Sequence, residues 1–330
     1  FDKGASSMAL TLGVGGKFFD LGNENKSLSF QPLANIDNDN EKQWVFEWLC
    51  DYVRNENLKI TPELKKILLD ALTTVSTYPK HMRTISTLID STQDNDLKTA
   101  LLQLSIKGTY GQIFDSEDDT LTFSSWQAFE MQKLMETPAI VGPTLMYIFH
   151  RIEQSLDGNP VIIDLDECWV FFDNEQFVTK IREWLKVLRK ANASVIFATQ
   201  NIMDIVESPI FSTVLESCQS QIFLPNDKAL EKGIKEKYFM FGLNQRQVEI
   251  IANAISKRQY YYVSPVGSRL YDLALEYCPI SLAYVAVNTA DVEQCQRILD
   301  EYGPKHFNDH WLKYKNINLP KSGNEGKSFL

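Results

Sequence analysis

Residues 161–167, VIIDLDE, put three carboxylates at the end of an apolar run. Val161, Ile162 and Ile163 read as a buried strand, and Asp164, Asp166 and Glu167 mark its carboxyl end. In an open parallel sheet, ligands bind beyond the carboxyl ends of the strands. A strand of four or five apolar residues closing on Asp-Glu suits nucleotide hydrolysis. The aspartate can hold a hydrated Mg²⁺, and the glutamate can polarise the water that attacks a terminal phosphate. Asp166 and Glu167 fit those two roles. Asp164, two residues earlier, shares the face of Asp166; it supports the metal's water shell or marks an early strand end. The plain alternative for the whole string is a strand exit with solvated acids.

The residues that follow fit the same chemistry. Asp173 or Asn174 can cap a helix, with Gln176 completing a capping box. Phe177, Ile181, Trp184, Leu185 and Leu188 form the stripe that packs this helix on a sheet. Arg182, Lys186, Arg189 and Lys190 lie on its outer or C-terminal side, where basic residues are ordinary partners of the helix dipole. The next strand, VIFAT, ends in Gln200. An amide at that tip can hydrogen-bond an attacking water or a terminal phosphate; it can equally be a loop cap.

The elements that must hold these groups alternate. Strand 161–165, helix 174–190, strand 195–199, helix 210–217 and strand 221–224 follow one another with short connections. That order dictates right-handed crossovers and a mostly parallel sheet covered by helices on both faces. A helix over about 140–156 precedes them. Short strands are expected at 121–123, 259–263, 270–275 and 283–287, the last three closing the sheet with antiparallel edge members. KFFDLG (17–22) and SLSFQPL (27–33) read as strands joined by a turn. Between these regions lies a helical block. Trp44, Val45, Trp48, Leu49, Tyr52 and Val53 share one stripe. Thr61-Pro62 starts a second helix with a cap and a first-turn proline, with Leu64, Ile67, Leu68, Ala71, Leu72 and Val75 inward. Met82, Ile85, Leu88 and Ile89 make a third, and Leu97, Leu101 and Leu104 a fourth. The segment KGTYGQIFDSEDDT (107–120) reads as a solvated, acidic turn.

Composition narrows the class. The chain has 330 residues, 44% hydrophobic and 12% aromatic, which is enough for real cores. Its net charge of −10 gives no support for direct nucleic-acid binding. Five dispersed cysteines without a CxxC argue against structural zinc or a disulfide framework and fit a reducing compartment. The four histidines show no paired-ligand spacing with acids, and the tryptophans fall mostly on core stripes. No apolar run reaches the roughly 18 residues of a membrane span.

The strings DECWVFFDN, EWLKVLRKANASVIFATQN, SQIFLPN and YFMFGLN, with the opening FDKGASSMALTLGVGGKFFDLG, resemble the large ATPase of type IV secretion systems and conjugative transfer machines. The resemblance covers nearly the whole chain. It implies an α/β fold: a RecA-like P-loop NTPase core at 1–38 and 111–305, an inserted all-α subdomain at 39–110, and a C-terminal tail at 306–330. It implies ATP and Mg²⁺ as cofactors, with hydrolysis driving pilus assembly and export of protein or DNA. By position, Asp166 is the magnesium aspartate, Glu167 the catalytic glutamate and Gln200 the sensor glutamine. Arg189, eleven residues before Gln200, resembles the arginine finger that ring ATPases insert into a neighbour's site. Such a finger is worth roughly 10³–10⁵ in rate. The implied setting is a homo-oligomer, hexamer or dimer, in the cytoplasm, attached peripherally to the bacterial inner membrane through other subunits of the machine.

The family's phosphate loop, GxxxxGK[ST], is not cleanly present. GVGGK (13–17) reads as a glycine-rich turn into a strand, and GNEGKS (323–328) as a flexible tail. The family places its loop just before the FDKG strand, so the expectation is a piece with the metal, base and sensor residues and without the phosphate cradle. Two other readings stay open: a non-catalytic docking component of the secretion complex, and a DNA-translocating coupling ATPase of the same fold.

Overall fold

The computed structural model describes residues 1–22, 28–172 and 175–317. In chain order, α1 (Met8–Gly13) leads to β1 (Lys17–Asp20), and then come α2 (Asp39–Asn55), α3 (Pro62–Ser76), α4 (Ile85–Ser91), α5 (Asn95–Leu101) and α6 (Gly111–Phe114). After β2 (Gln127–Glu130) come α7 (Gln132–Met135), α8 (Pro138–Ser155), β3 (Val161–Leu165), α9 (Trp169–Phe172), α10 (Glu175–Val187) and β4 (Ala193–Phe197). The rest is α11 (Ile202–Val206), α12 (Phe211–Ser217), β5 (Gln221–Phe223), α13 (Ile234–Met240), α14 (Gln245–Asn253), β6 (Gln259–Ser264), β7 (Gly267–Asp272), α15 (Pro279–Val285), α16 (Thr289–Tyr302) and α17 (Phe307–Tyr314). The chain divides into two compact units: residues 1–3, 19–124 and 129–217 form the first, and 4–18, 125–128 and 218–330 the second.

The first unit carries the acids. Its helices follow the stripes and the Thr61-Pro62 start read from sequence, and the structure adds a cap at Asn38. Asn38 caps α2 by accepting from the backbone of Asn40 and Glu41, and Thr61 caps α3 at Leu64 with Pro62 in the first turn. Their apolar stripes go inside: Val45, Leu49 and Val53 from α2, Leu68, Leu72 and Val75 from α3, then Ile85, Leu88, Leu97, Leu101 and Leu104, all essentially inaccessible.

β3 and β4 run parallel, with Val161 opposite Ala193 and Leu165 opposite Phe197. The connection is α10, whose Phe177, Ile181, Trp184 and Leu188 are buried as the stripe requires. Trp184 satisfies its indole N–H on Glu153 Oε1 at 2.5 Å, and Lys180 pairs with the same oxygen at 2.7 Å. On the other side of β3 lie the first two residues of the chain. Phe1 O accepts from Asp166 N at 3.1 Å and Phe1 N donates to Asp164 O at 2.7 Å. Asp2 is bridged in parallel to Glu130, with Asp2 N to Phe129 O and Met131 N to Asp2 O at 2.9 Å each. Phe1 and Asp2 therefore run between β2 and β3, with Asp2 as an isolated bridge.

Several expected elements differ. No strand forms at 28–33 or 121–123; the strand nearest the latter is β2, at 127–130. Ser29 and Thr120 instead tie these two extended segments together, Ser29 N donating to Thr120 Oγ1 and Thr120 N to Ser29 O at 2.9 Å each. β5 pairs antiparallel with β6, and β6 with β7, in a separate three-stranded sheet of the second unit. The segment expected as strand 283–287 falls in and after α15: Pro279 starts the helix, Ala283 is buried, and Ala283 O accepts the indole N–H of Trp311 at 3.2 Å. Packing overrides a β-rich composition there. The second unit's core joins Met8, Ala9 and Leu12 of α1 to Cys295 and Ile298 of α16 and Phe307 and Trp311 of α17.

The acidic segment 115–120 is not a solvated turn. Asp115 is buried and accepts from Ser86 N at 2.9 Å, Ile106 N at 2.6 Å and the Ser86 hydroxyl. Asp119 accepts from both Tyr147 Oη and Arg151 Nη1 of α8. Burial, with Asp119 alongside, pushes the Tyr147 phenol well above its ordinary range. Of the segment's acids, only Glu117 and Asp118 are left in solvent.

Candidate active site at the carboxyl ends of the parallel strands

β3 does not stop cleanly at Leu165. Asp166 N is still bonded to Phe1 O, and on the β4 side Ala198 N donates to Leu165 O at 3.0 Å and Cys168 N to Ala198 O at 2.9 Å. Between these bonds the chain turns sharply, because Glu167 takes a left-handed backbone with φ of 51°. A non-glycine residue there costs about 1–3 kcal/mol and persists where the surroundings enforce it, most often at functional sites.

The turn brings two predicted residues together. Gln200 Nε2 donates to Glu167 Oε1 at 2.5 Å. Gln200 is itself fixed by a tied loop: Thr199 Oγ1 donates to Asp204 Oδ2 at 3.1 Å, and Asn201 Oδ1 accepts from Met203 N to cap α11. The second glutamate oxygen, Oε2, accepts the indole N–H of Trp169 at 2.8 Å. Lys3 Nζ lies 5.1 Å from the centre of that indole. Sequence reasoning groups Trp169 with the core tryptophans and so misses this role. Its position two residues past the glutamate, at a helix start, is the available signal that it faces the site.

Asp164 and Asp166 lie at the same strand end. Burial raises the Asp166 carboxyl above its ordinary value, a backbone N–H at Glu167 opposes this, and Asp2, Glu167 and Asp164 push it up further. Burial raises the Asp164 carboxyl above its ordinary value, and Asp2 adds to it. Mutually repelling carboxylates at one strand end are a place where a divalent cation fits. No group of three or more His, Cys, Asp or Glu converges as a direct metal cage among the described residues. A magnesium ion needs none, since it keeps several waters and takes one or two carboxylates.

Arg189 is elsewhere. It lies in the turn after α10, exposed, with Asn192 N bonded to its carbonyl and Asn192 O accepting from Val161 N. That is the amino end of β3 and β4, about 16 Å of strand away from Glu167 and Gln200. Within one chain it does not join the cluster. The proposed caps at Asp173 and Asn174, with the Gln176 side chain, lie outside the described residues, as does GNEGKS. GVGGK is a turn from α1 into β1. A Cβ on Gly16 would meet Trp126 O at 2.6 Å, so close backbone approach explains that glycine. Helix precedes the glycines here, so they face the negative end of its dipole rather than the anion-binding end.

Comparison with known proteins gives the family of the chain and its fold. The TraG P-loop domain family matches residues 76–273. The chain belongs to that family, a family of P-loop domains with an α/β core. A probable conjugal transfer protein TrbE of Sinorhizobium fredii is 39% identical over 321 residues, 96% of this chain and 48% of that protein. The type IV secretion system protein virB4 of Bartonella henselae is 29% identical over 320 residues, 94% of this chain and 40% of that one. The chain thus spans about half the length or less of the curated relatives it matches. Among solved structures, VirB4 of Thermoanaerobacter pseudethanolicus superposes with a TM-score of 0.58 at 16% identity, covering 80% of this chain and 78% of that one. The plasmid coupling protein TrwB with ADP and Mg²⁺ gives 0.51 at 13%, covering 82% and 77%.

Proposed function

We propose that this chain supplies the metal, base and sensor residues of an ATP-hydrolysing site in a type IV secretion or conjugal-transfer ATPase. One observation carries the reading: Gln200 Nε2 meets Glu167 Oε1 at 2.5 Å, at the carboxyl ends of adjacent parallel strands. There Glu167 orients and deprotonates an attacking water, and Gln200 holds the glutamate and the water in register. Asp166 would hold a magnesium ion through water, and a bound ion would neutralise charge on the phosphates. TrwB, of similar fold, has been observed with ADP and Mg²⁺, which supports that cofactor pair.

Arg189 acts in this reading on a neighbouring copy, because its own cluster lies at the other end of the strands. The protein then works as a homo-oligomer, with residues 39–110 as a helical insertion. Its place is the cytoplasmic face of the inner membrane, among other subunits of the machine. Among the described residues no helix is long and apolar enough to cross a membrane. The names of the relatives support conjugal transfer and secretion as the process.

The test is ATP turnover by the full-length protein beside its Glu167→Gln and Arg189→Ala variants. Loss of about 10²-fold or more in each, with the Arg189→Ala loss restored in mixed oligomers with Glu167→Gln, is the expected result. Equal turnover in wild type and Glu167→Gln would sink the reading.

A further inference from the structure

A second opening lies on the helical part of the first unit and shares no residue with the strand-end cluster. It is a cavity of about 80 Å³ between α2 and α8, lined by Trp44, Trp48 and Tyr52, by Glu47 and Asp51, and by Met146. The α2 residues are two adjacent ridges of one helix at a spacing of four. Trp44 and Trp48 lie nearly parallel, 17° apart with centroids at 6.1 Å. Both are held in place. Trp44 stacks at 3.8 Å on His150, which is bonded to Glu41 at 3.1 Å, and Trp48 donates its N–H to Pro143 O at 3.1 Å.

The polar groups at this opening are poorly matched. Tyr52 is 1% exposed and its hydroxyl makes no close, well-aligned hydrogen bond, with only the Glu56 carboxylate beside it. Burial, with Glu56 nearby, pushes that phenol up, so it stays neutral. Glu47 and Asp51 are like charges one helical turn apart, an arrangement that works against the helix. Asp51 pairs with Arg54, while Glu47 is bonded to a neutral amide, Gln43 Nε2, at 2.7 Å. Burial raises the Asp51 carboxyl; Arg54 opposes that and Glu47 adds to it.

We propose that this groove binds a lysine or arginine side chain from a basic segment of a partner protein. One cation with N–H donors answers all three features. It sits against the indole faces, pairs with the Glu47 and Asp51 carboxylates, and donates to Tyr52 Oη. A neutral apolar group would leave the acids facing each other, and an anion would be repelled by them and by a chain of net charge −10. Cationic recognition by aromatic side chains is strongest where the cation is desolvated, as a concave site allows.

The experiment titrates dye-labelled hexa-arginine and hexalysine peptides into the full chain, following anisotropy, with hexaglutamate as the control. Binding is expected for both basic peptides and not for hexaglutamate. The isosteric double variant Glu47→Gln/Asp51→Asn should weaken it about tenfold or more. The double variant Glu117→Gln/Asp118→Asn, which removes the same charge from exposed positions, should change it little. Trp44→Leu should weaken it as well; if circular dichroism shows that variant unfolded, the charge pair decides. Equal weakening by the two double variants, no binding at about 1 mM peptide, or unchanged binding by a folded Trp44→Leu would each overturn the proposal.

Discussion

Gln200 and Glu167 are joined side chain to side chain across 33 residues of chain, the amide donating to the carboxylate at 2.5 Å. Neither could reach the other if β3 and β4 were not adjacent parallel strands, which leaves both carboxyl ends on one edge. The bond predicts coupled kinetics. Gln200→Ala should lower ATP turnover about 10²-fold and Glu167→Gln more. The double variant should be hardly worse than Glu167→Gln alone, because residues acting as a unit are not additive. Additive losses in steady-state turnover would separate the two roles.

Trp169 occupies the other oxygen of the glutamate. Trp169→Phe keeps the ring and removes the donor. If Glu167 is the base, as proposed, turnover should fall about tenfold with KM for ATP little changed, since the indole would orient the base without touching the nucleotide. A rise in KM without loss of kcat would assign the indole to binding instead.

Asp166 is held above its ordinary carboxyl value, chiefly by burial. The sign follows from proton counting. Between the unfolded and the folded value, the folded state binds more protons, so stability falls as pH rises through that window and stays lower above it. Asp166→Asn removes the penalty. Thermal unfolding at pH 7 should therefore rise by about 1–3 °C, and the gain should vanish below the ordinary aspartate range. A variant less stable than wild type at pH 7 would contradict this.

Asp119 ties the acidic loop to α8 through Tyr147 and Arg151. Removing one partner leaves the others half-buried and unmatched. Arg151→Met is expected to cost about 2–4 kcal/mol in denaturant unfolding. Asp118→Asn, at an exposed position of the same loop, should stay within about 0.5 kcal/mol. Comparable losses would restore the picture of a loop made only of solvated acids.

The sequence by itself determined the helices of 39–101, with their stripes and the Thr61 cap, and the β3–α10–β4 unit. The reason is that periodicity and capping are local, and VIIDL and ASVIF leave few alternatives to parallel strands. It also located Asp166, Glu167 and Gln200 at strand ends. Tertiary structure decided the rest. The burial of Asp115 on Ser86, the tie of Asp119 to Arg151 and the Gln200 amide on Glu167 join residues 29, 32 and 33 positions apart, and the left-handed backbone at Glu167 and its bond to the Trp169 indole are settled with them. So are the pairing of β5 with β6 and the helix where YVAV suggested a strand. Hydrogen bonds and burial between distant segments carry no periodic signature, so no stretch of sequence states them; only the folded chain brings the partners within reach.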